Sequence, residues 1–378
     1  MKNKGNQRLE PIIKWPGGKE RELKYILPNQ PIKFERFFEP FVGGGSVFMA
    51  IDSTNYYIND LSTELCELYL CIKNRAKDFF DVAYSINDSW NKIEKFFETH
   101  KNELSSIYYK FKADAIGFET LKHSIDTFIS ANRKQLVDSL SSKYPINDTF
   151  TQEIGNTMLR KMQRMHALEN EKGEMPEHDV YNNIETILKG ALYMYYRNIY
   201  NAQKDEINSQ QIALFFFLRN YAYSGMFRYN ANGEFNVPYG GIAYNRKRLS
   251  KKLKLYESEE VQNRFSMTVI ENLDFEAFLK NHNLTNRDFV FLDPPYDTEF
   301  STYAQNEFSK RDQQRLANYL IKECPAKWML VIKNTDYVLS LYSGYEGINI
   351  GSFDKEYTVS FMNRNDKKVT HLLIKNYV

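Results

Sequence analysis

A carboxylate, two prolines and an aromatic ring stand together at Asp293-Pro294-Pro295-Tyr296, directly after the apolar run Asp288-Phe289-Val290-Phe291-Leu292. The run has strand length, and the proline pair must end it because proline donates no ladder hydrogen bond. Asp293 is therefore expected at the carboxyl end of a buried strand, where open α/β sheets bind ligands. The prolines hold the backbone extended and free the carbonyls of Asp293 and Pro294 to face a ligand. Tyr296 adds a flat face. A planar ring bearing an amino group suits this set: stacked on Tyr296, it would donate hydrogen bonds to Asp293 and to the Pro294 carbonyl. A strand stop followed by a surface tyrosine is the plainer alternative, so the rest of the chain must decide.

Three other stretches must position that chemistry. Lys14-Trp15-Pro16-Gly17-Gly18-Lys19 makes a tight turn before a short helix expected from Glu20 to Leu27, ended by Pro28. A strand from Phe34 to Glu39 leads into Pro40-Phe41-Val42-Gly43-Gly44-Gly45-Ser46 and a helix expected from about Val47. Such a turn lets a ligand approach the backbone near the positive end of a helix dipole. It lacks the G-x-G-x-x-G of a dinucleotide loop. Tyr56-Tyr57-Ile58-Asn59-Asp60 then reads as a short strand ending in an acid, the place where a βαβ nucleoside site holds a ribose diol. A helix N-cap is the alternative for Asp60, and equally for Asp274, which ends a strand from Val269 and opens a helix at Phe275.

The bulk properties narrow the class. At 378 residues the chain has room for two or three domains, and 27 Tyr with 27 Phe supply core material. A net charge of +2 means that any nucleic-acid footprint is local. Cys66, Cys71 and Cys324 form no CxxC pair, which suits a reducing cytoplasm, and the six histidines lack metal-ligand spacing, so no metal site is expected. No apolar run of about 18 residues appears and the first seven residues carry no apolar core, so neither a membrane span nor a signal peptide is expected.

From about Leu61 to Phe217 apolar residues recur at helical spacing, as in Trp90, Ile93, Phe96 and Phe97, or Ile184, Ile187, Leu188 and Leu192. This is a helical insertion, with Tyr193-Met194-Tyr195-Tyr196 expected in its core. From Phe217 to Gly240 the chain is rich in aromatics around Asn230-Ala231-Asn232-Gly233, a turn signal that reads as a β-hairpin. Beyond it Arg246, Lys247, Arg248, Lys251, Lys252 and Lys254 form a basic run without an acid. A projecting hairpin beside basic residues suits DNA, with a solvated basic helix face as the alternative. Near the end, Ser309-Lys310-Arg311-Asp312 looks like a capping box, Trp328 to Ile332 like a buried strand, and Tyr357 to Met362 with Val369 to Lys375 like a closing antiparallel pair.

In this order the motifs resemble those of the Dam-type N6-adenine-specific DNA methyltransferases: the Lys-Trp segment, the Phe-x-Gly-x-Gly loop, the acidic strand end, the Tyr-Asn-x-x-Gly-x-Phe-Asn-Val-Pro hairpin, Asp-Phe and Asp-Pro-Pro-Tyr. The resemblance covers Ile12 to about Leu70 and Phe215 to Val378, not the middle helices. It implies a Rossmann-like, mostly parallel sheet flanked by helices, with a helical and hairpin DNA-recognition domain inserted after the second strand. The implied division is a catalytic part over 1–75, a target-recognition domain over 76–255, and a catalytic part over 256–378. Catalysis falls to Asp293, Pro294, Pro295 and Tyr296. Trp15, Gly17, Lys19, Phe41, Gly43, Gly45, Ser46, Asp60, Asp274, Phe275 and Asp293 are implied to line an S-adenosylmethionine site. Lys14, Tyr223, Met226, Arg228, Asn230, Asn236, Pro238, Arg246, Lys247 and Arg248 are implied to meet double-stranded DNA. By the same resemblance Arg228 reads a guanine, Tyr223 wedges into the stack and Pro238 touches a thymine methyl, which suggests a target containing GAT. Gly241-Ile242 stands where the archetype has Arg-Tyr, and Met226 replaces a leucine, so the full target stays open. A cognate restriction endonuclease is a candidate partner. A cytosine-amino methyltransferase would more often carry Ser at Asp293, and a glutamine-amide methyltransferase Asn. A methyltransferase-like regulator would not need every cofactor position filled.

Overall fold

The computed structural model describes residues 9–144, 149–203, 206–295, 308–356 and 368–378. Its described strands are β1 (Arg36–Glu39), β2 (Asn55–Asn59), β3 (Thr268–Glu271), β4 (Asp288–Leu292), β5 (Lys327–Lys333), β6 (Asn349–Glu356) and β7 (Lys368–Lys375). They form one sheet in the order β3-β2-β1-β4-β5-β7-β6. The first five are mutually parallel, and β7 runs antiparallel to both β5 and β6. This is the mostly parallel α/β sheet expected.

The chain divides into two compact units. The first comprises 1–75, 227–229 and 255–378, the second 76–226 and 230–254. The first unit holds the sheet with helices α1 (Leu23–Ile26) and α2 (Thr63–Lys73). The second is built from α3 (Lys77–Lys112), α4 (Phe118–Asp138), α5 (Thr149–Lys172), α6 (Glu177–Ala202) and α7 (Ser209–Tyr221). In α8 (Leu249–Glu257) the chain passes back to the first unit, which continues with α9 (Glu259–Ser266), α10 (Phe275–Asn281), α11 (Lys310–Lys322) and α12 (Asp336–Tyr342). The apolar stripes seen in the sequence are the helical core: Trp90, Ile93, Phe96, Ile184, Ile187, Leu188, Leu192, Tyr193 and Tyr196 are all buried. No described helix is long and apolar enough to cross a membrane.

β4 is buried at every position, because parallel strands in the middle of a sheet are covered on both faces. Its first residue is an acid. Asp288 is 1% exposed and accepts two bonds from the Arg36 guanidinium of β1, at 2.8 and 2.7 Å. The Thr285 N–H adds a third at 2.6 Å. This fork fixes the register of β4 against β1, where Arg36 faces Asp288 directly.

Several local expectations are corrected. The helix after the glycine loop does not form. Residues 46–50 make one turn, with the Met49 N–H donating to the Gly45 carbonyl and the Ile51 N–H to that of Val47, because the segment is too short to propagate a helix. The helix placed at Glu20 to Leu27 shrinks to α1, followed by a 3-10 turn Leu27–Asn29 that contains Pro28 near its start, where a missing N–H costs nothing. Phe217–Tyr221 belongs to α7 rather than to a hairpin strand. The closing antiparallel pair exists, but its first described strand is β6; Tyr357 to Met362 lies outside the described residues. β6 gave little sequence signal because an edge strand needs ladder bonds more than burial, and Ile350 remains 38% exposed.

The Arg36–Asp288 fork predicts a pH-dependent stability. Burial alone would raise the Asp288 carboxyl, but its hydrogen bonds to Arg36 and the Thr285 N–H hold it below the usual carboxylate range. Replacing Asp288 by Asn should destabilise the chain by about 3 kcal/mol at neutral pH, since it strands a guanidinium. The stabilisation is present above the unfolded value of about 4 and is lost as the pH falls through the lower native value. Denaturant melts of both proteins should show their difference shrinking in acid; a constant difference would contradict this account.

Candidate active site

The strand order reverses between β1 and β4. Successive chain segments leave β1 for β2 on one side, and the sheet resumes at β4 on the other. The carboxyl ends flanking such a switch point form a crevice where doubly wound sheets take ligands. Glu39 ends β1 and the glycine loop follows it; Asp293 follows β4. Two motifs about 250 residues apart in sequence thus share one crevice for a topological reason.

Lys19 joins them. It is 2% exposed, donates to the Asp293 Oδ2 at 2.5 Å and to the Gly17 carbonyl at 2.8 Å. The ammonium expected to line the cofactor site is therefore seated on the carboxylate of the Asp-Pro-Pro-Tyr motif. A buried ammonium requires such a partner, since desolvating an isolated charge costs several kcal/mol. Pro294 is buried and Pro295 exposed. The Pro295 carbonyl accepts a 3.1 Å bond from Gln313, a fully buried residue in the first turn of α11. Tyr296 lies outside the described residues.

The glycine loop is shaped by what packs on it. Gly43 and Gly45 have φ of +48° and +76°. A Cβ at Gly43 would stand 2.8 Å from the Trp15 ring, at Gly44 2.3 Å from the Ile13 carbonyl, and at Gly45 2.6 Å from the Tyr69 hydroxyl. Glycine is thus required by the loop's own packing, with Trp15 and Tyr69 in the places a side chain would need. Tyr69, in α2, also donates to the Gly43 carbonyl at 2.8 Å. Ser46 is buried and Phe41 half-buried.

Asp60 stands just past β2. Its Oδ2 accepts from the Gly43 N–H and its Oδ1 from the Ser62 N–H, both at 3.0 Å. Asp60 thus ties down the glycine loop and turns the chain toward α2, but the N-cap of that helix is Ser62 and not Asp60. Burial raises its carboxyl above the usual range, against the pull of those backbone donors. Asn59, at the end of β2, donates to the carbonyls of Pro40 and Leu273 and accepts from the Leu273 N–H. It links the glycine loop to the Asp274-Phe275 motif. Asp274 caps α10 through the Glu276 N–H and pairs with Arg315 at 2.8 Å, so its carboxylate serves the helix and α11. Phe275 meets Phe41 at 5.5 Å and Phe308 at 5.6 Å between ring centroids, an apolar wall in which Phe308 was not anticipated.

Glu39, Asn59, Gln313 and Phe308 carried no motif signal. Glu39 is 2% exposed and one of its oxygens has no partner among the described residues. The aromatic wall, the glycine loop and Asp60 beside it suit a nucleoside-bearing ligand, and so fit S-adenosylmethionine. Burial pushes the Glu39 carboxyl well above the usual range; Asp293 adds to this, and the Phe48 N–H and Lys19 offset part of it. A carboxyl with a raised native pKa keeps its proton while the unfolded chain loses it, so stability falls as pH rises from about 4 toward the native value. Glu39→Gln, neutral in both states, should gain stability relative to the parent as the pH rises above the unfolded value of about 4 in thermal melts; a gap that does not change with pH would refute this.

The residues implied to meet DNA fall in several places. Lys14, Pro238 and Tyr223 are exposed, while Met226, Arg228 and Asn236 are half-buried. Arg228 belongs with Phe227 and Tyr229 to the first unit. The expected β-hairpin forms no strand ladder among the described residues: the segment is closed at its base by the isolated Ala222–Tyr239 bridge and at its turn by Asn230, whose Oδ1 accepts from the N–H groups of Asn232 and Glu234. The basic run is not an unopposed cationic stripe. Arg246 and Arg248 both pair with Glu94 of α3, at 2.9 and 2.6 Å, and Lys247 donates to the Asn220 carbonyl.

Comparison with known proteins agrees with this geometry. The chain matches the family described as D12 class N6 adenine-specific DNA methyltransferase over residues 15–186 and 140–358. It is 25% identical over 376 residues to the Type II methyltransferase M.CviBI of Paramecium bursaria Chlorella virus NC1A, covering 98% of this chain and all of that one. It is 24% identical to the Type II methyltransferase M.MjaIII of Methanocaldococcus jannaschii, over 98% and 99% of the two chains. With the DNA adenine methylase of Escherichia coli strain K12 it shares 23% identity, over 96% and 93%. The family match runs through the middle helices, which the motifs alone did not reach, and with the switch-point site it places the chain among the D12 class N6 adenine-specific DNA methyltransferases.

Proposed function

We propose that this chain transfers a methyl group from S-adenosylmethionine to the 6-amino group of an adenine turned out of double-stranded DNA. The observation that supports this most is the pairing of the buried Lys19 with the half-buried Asp293 at the switch point, beside the glycine loop. An amino group inside the duplex is out of reach, and unstacking its base costs a few kcal/mol. Asp293 and the Pro294 carbonyl accept the two amino hydrogens, so that the nitrogen lone pair points outward instead of into the ring. Tyr296 stacks on the base. Lys19 holds the Asp293 carboxylate through Oδ2, and Gln313 holds the turn through Pro295. When bound, S-adenosylmethionine supplies an electrophilic methyl group, and Phe41, Gly43, Gly45 and Asp60 are the residues that would hold it. Attack is direct, and Asp293, already hydrogen-bonded to the nitrogen, is placed to take the proton that methylation releases. Positioning provides most of the acceleration, with no covalent enzyme intermediate.

In this reading residues 1–75 and 256–378 carry the chemistry and 76–255 the target recognition. Arg228 reads a guanine bidentately, Tyr223 enters the stack and Pro238 meets a thymine methyl. Lys14, Met226, Asn230 and Asn236 complete the contact, and Arg246, Lys247 and Arg248 reach phosphate from their anchored positions. A target with a GAT core follows.

The test is single-molecule sequencing of DNA from a methylation-deficient host expressing the protein, beside an Asp293→Ala control. One adenine-methylated motif should appear with the intact chain only, while the variant still binds S-adenosylmethionine in a titration. Unmodified DNA from folded, cofactor-binding protein would overturn the reading, and equal loss of transfer and cofactor binding in the variant would overturn the role of Asp293.

A further inference from the structure

One face of α6 spends its polar side chains on the backbone of the segment from Phe235 to Asn245. Asn201 pairs with a single peptide residue on both sides: its Oδ1 accepts from the Phe235 N–H at 2.9 Å, and its Nδ2 donates to the Phe235 carbonyl at 3.1 Å. Two turns earlier, the Tyr193 hydroxyl donates to the Val237 carbonyl at 2.9 Å, with Arg197 directed at the same oxygen. Further along, Lys189 donates to the Asn245 carbonyl, and the Asn245 amide donates to Thr186 Oγ1 at 3.0 Å while accepting from the Tyr239 hydroxyl at 2.9 Å. The contributing positions 186, 189, 193, 197 and 201 are spaced by three and four, a single helix face about 22 Å long.

A helix that only filled a core would present apolar side chains there. This one presents donors and acceptors matched to main-chain atoms, as a neighbouring β-strand would. The limb it holds alternates accordingly. Phe235 and Val237 are 1% and 0% exposed, whereas Asn236 is half-buried and Pro238 exposed. In an extended segment, pinning one set of alternate residues fixes the direction of the other.

We propose that α6 is a template that sets the register and outward presentation of the recognition limb, with Asn201 and Tyr193 as positioning residues for target specificity. This gives the helical insertion a task in reading DNA, and it rests on the functional reading above. Asn201 acts through Phe235, and Tyr193 through Val237, on the intervening Asn236 and following Pro238. A slip of one residue would exchange the buried and presented sets.

The experiment uses the full chain with Asn201→Asp, which keeps the shape but turns the amide donor into an acceptor facing the Phe235 carbonyl, and Tyr193→Phe, which removes one hydroxyl. For each protein we would measure melting temperature, S-adenosylmethionine affinity, and kcat and KM on a duplex carrying the motif that the parent methylates. The same is done on duplexes with each base pair of the motif replaced singly. The expected result is a KM for the parent motif raised about tenfold, with preference over the substituted duplexes lowered by a similar factor, the size of one or two lost hydrogen bonds. Cofactor affinity and kcat should stay within about twofold, since neither side chain reaches the transferred group. Parental KM and preference in both variants would overturn the proposal, as would losses confined to kcat or proportional to the fall in melting temperature. If Asn201→Asp does not fold, Tyr193→Phe decides alone. A parent that methylates no duplex refutes the functional reading instead, so the two failures are distinct.

Discussion

An ammonium buried to 2% exposure must find a carboxylate, and in this fold it finds Asp293. That requirement organises the crevice. It draws the Trp15–Lys19 turn over the end of β4, and the same turn lays the Trp15 ring where Gly43 leaves no room for a Cβ. One ion pair therefore sets the position of the acidic motif and the shape of the glycine loop. Neither could move without exposing a charge or opening a void beneath the loop.

Around this pair the strand ends are sewn together by amides and carboxylates acting on backbone. Asn59 bridges Pro40 and Leu273, Asp60 takes the Gly43 and Ser62 N–H groups, and Gln313 holds Pro295. Parallel strands end in irregular backbone whose polar groups have no ladder partner, and buried polar groups are costly unless satisfied. The side chains that satisfy them also fix the distances between the three loops, so stability and preorganisation come from the same bonds.

The sheet and the crevice were legible because their signals are local. An apolar run before a proline pair, a glycine triplet after a short strand and an acid at a strand end each act within a few residues, and strand order brought them together as expected. The capping box at Ser309 was equally clear, with both of its bonds formed. What escaped the sequence depends on partners far along the chain. The pairing of Lys19 with Asp293 escaped because nothing near Lys19 in sequence shows its mate. Arg246 and Arg248 read as an open basic stripe because Glu94 lies about 150 residues away on α3. The polar face of α6 was invisible among the apolar residues that mark its core. The edge strand β6 carried little signal, since edge strands are selected for pairing more than for burial.

The placement of the helical unit between β2 and β3 has a consequence for biosynthesis. The bonds that complete the sheet's centre join residues 252 and 274 positions apart, whereas the helices between them fold largely through nearer neighbours. Local contacts form early and distant strand pairings late. A growing chain would therefore assemble its helical unit while the first two strands wait for their central neighbour to emerge. The crevice between β1 and β4 can therefore close only after the whole helical unit has been made.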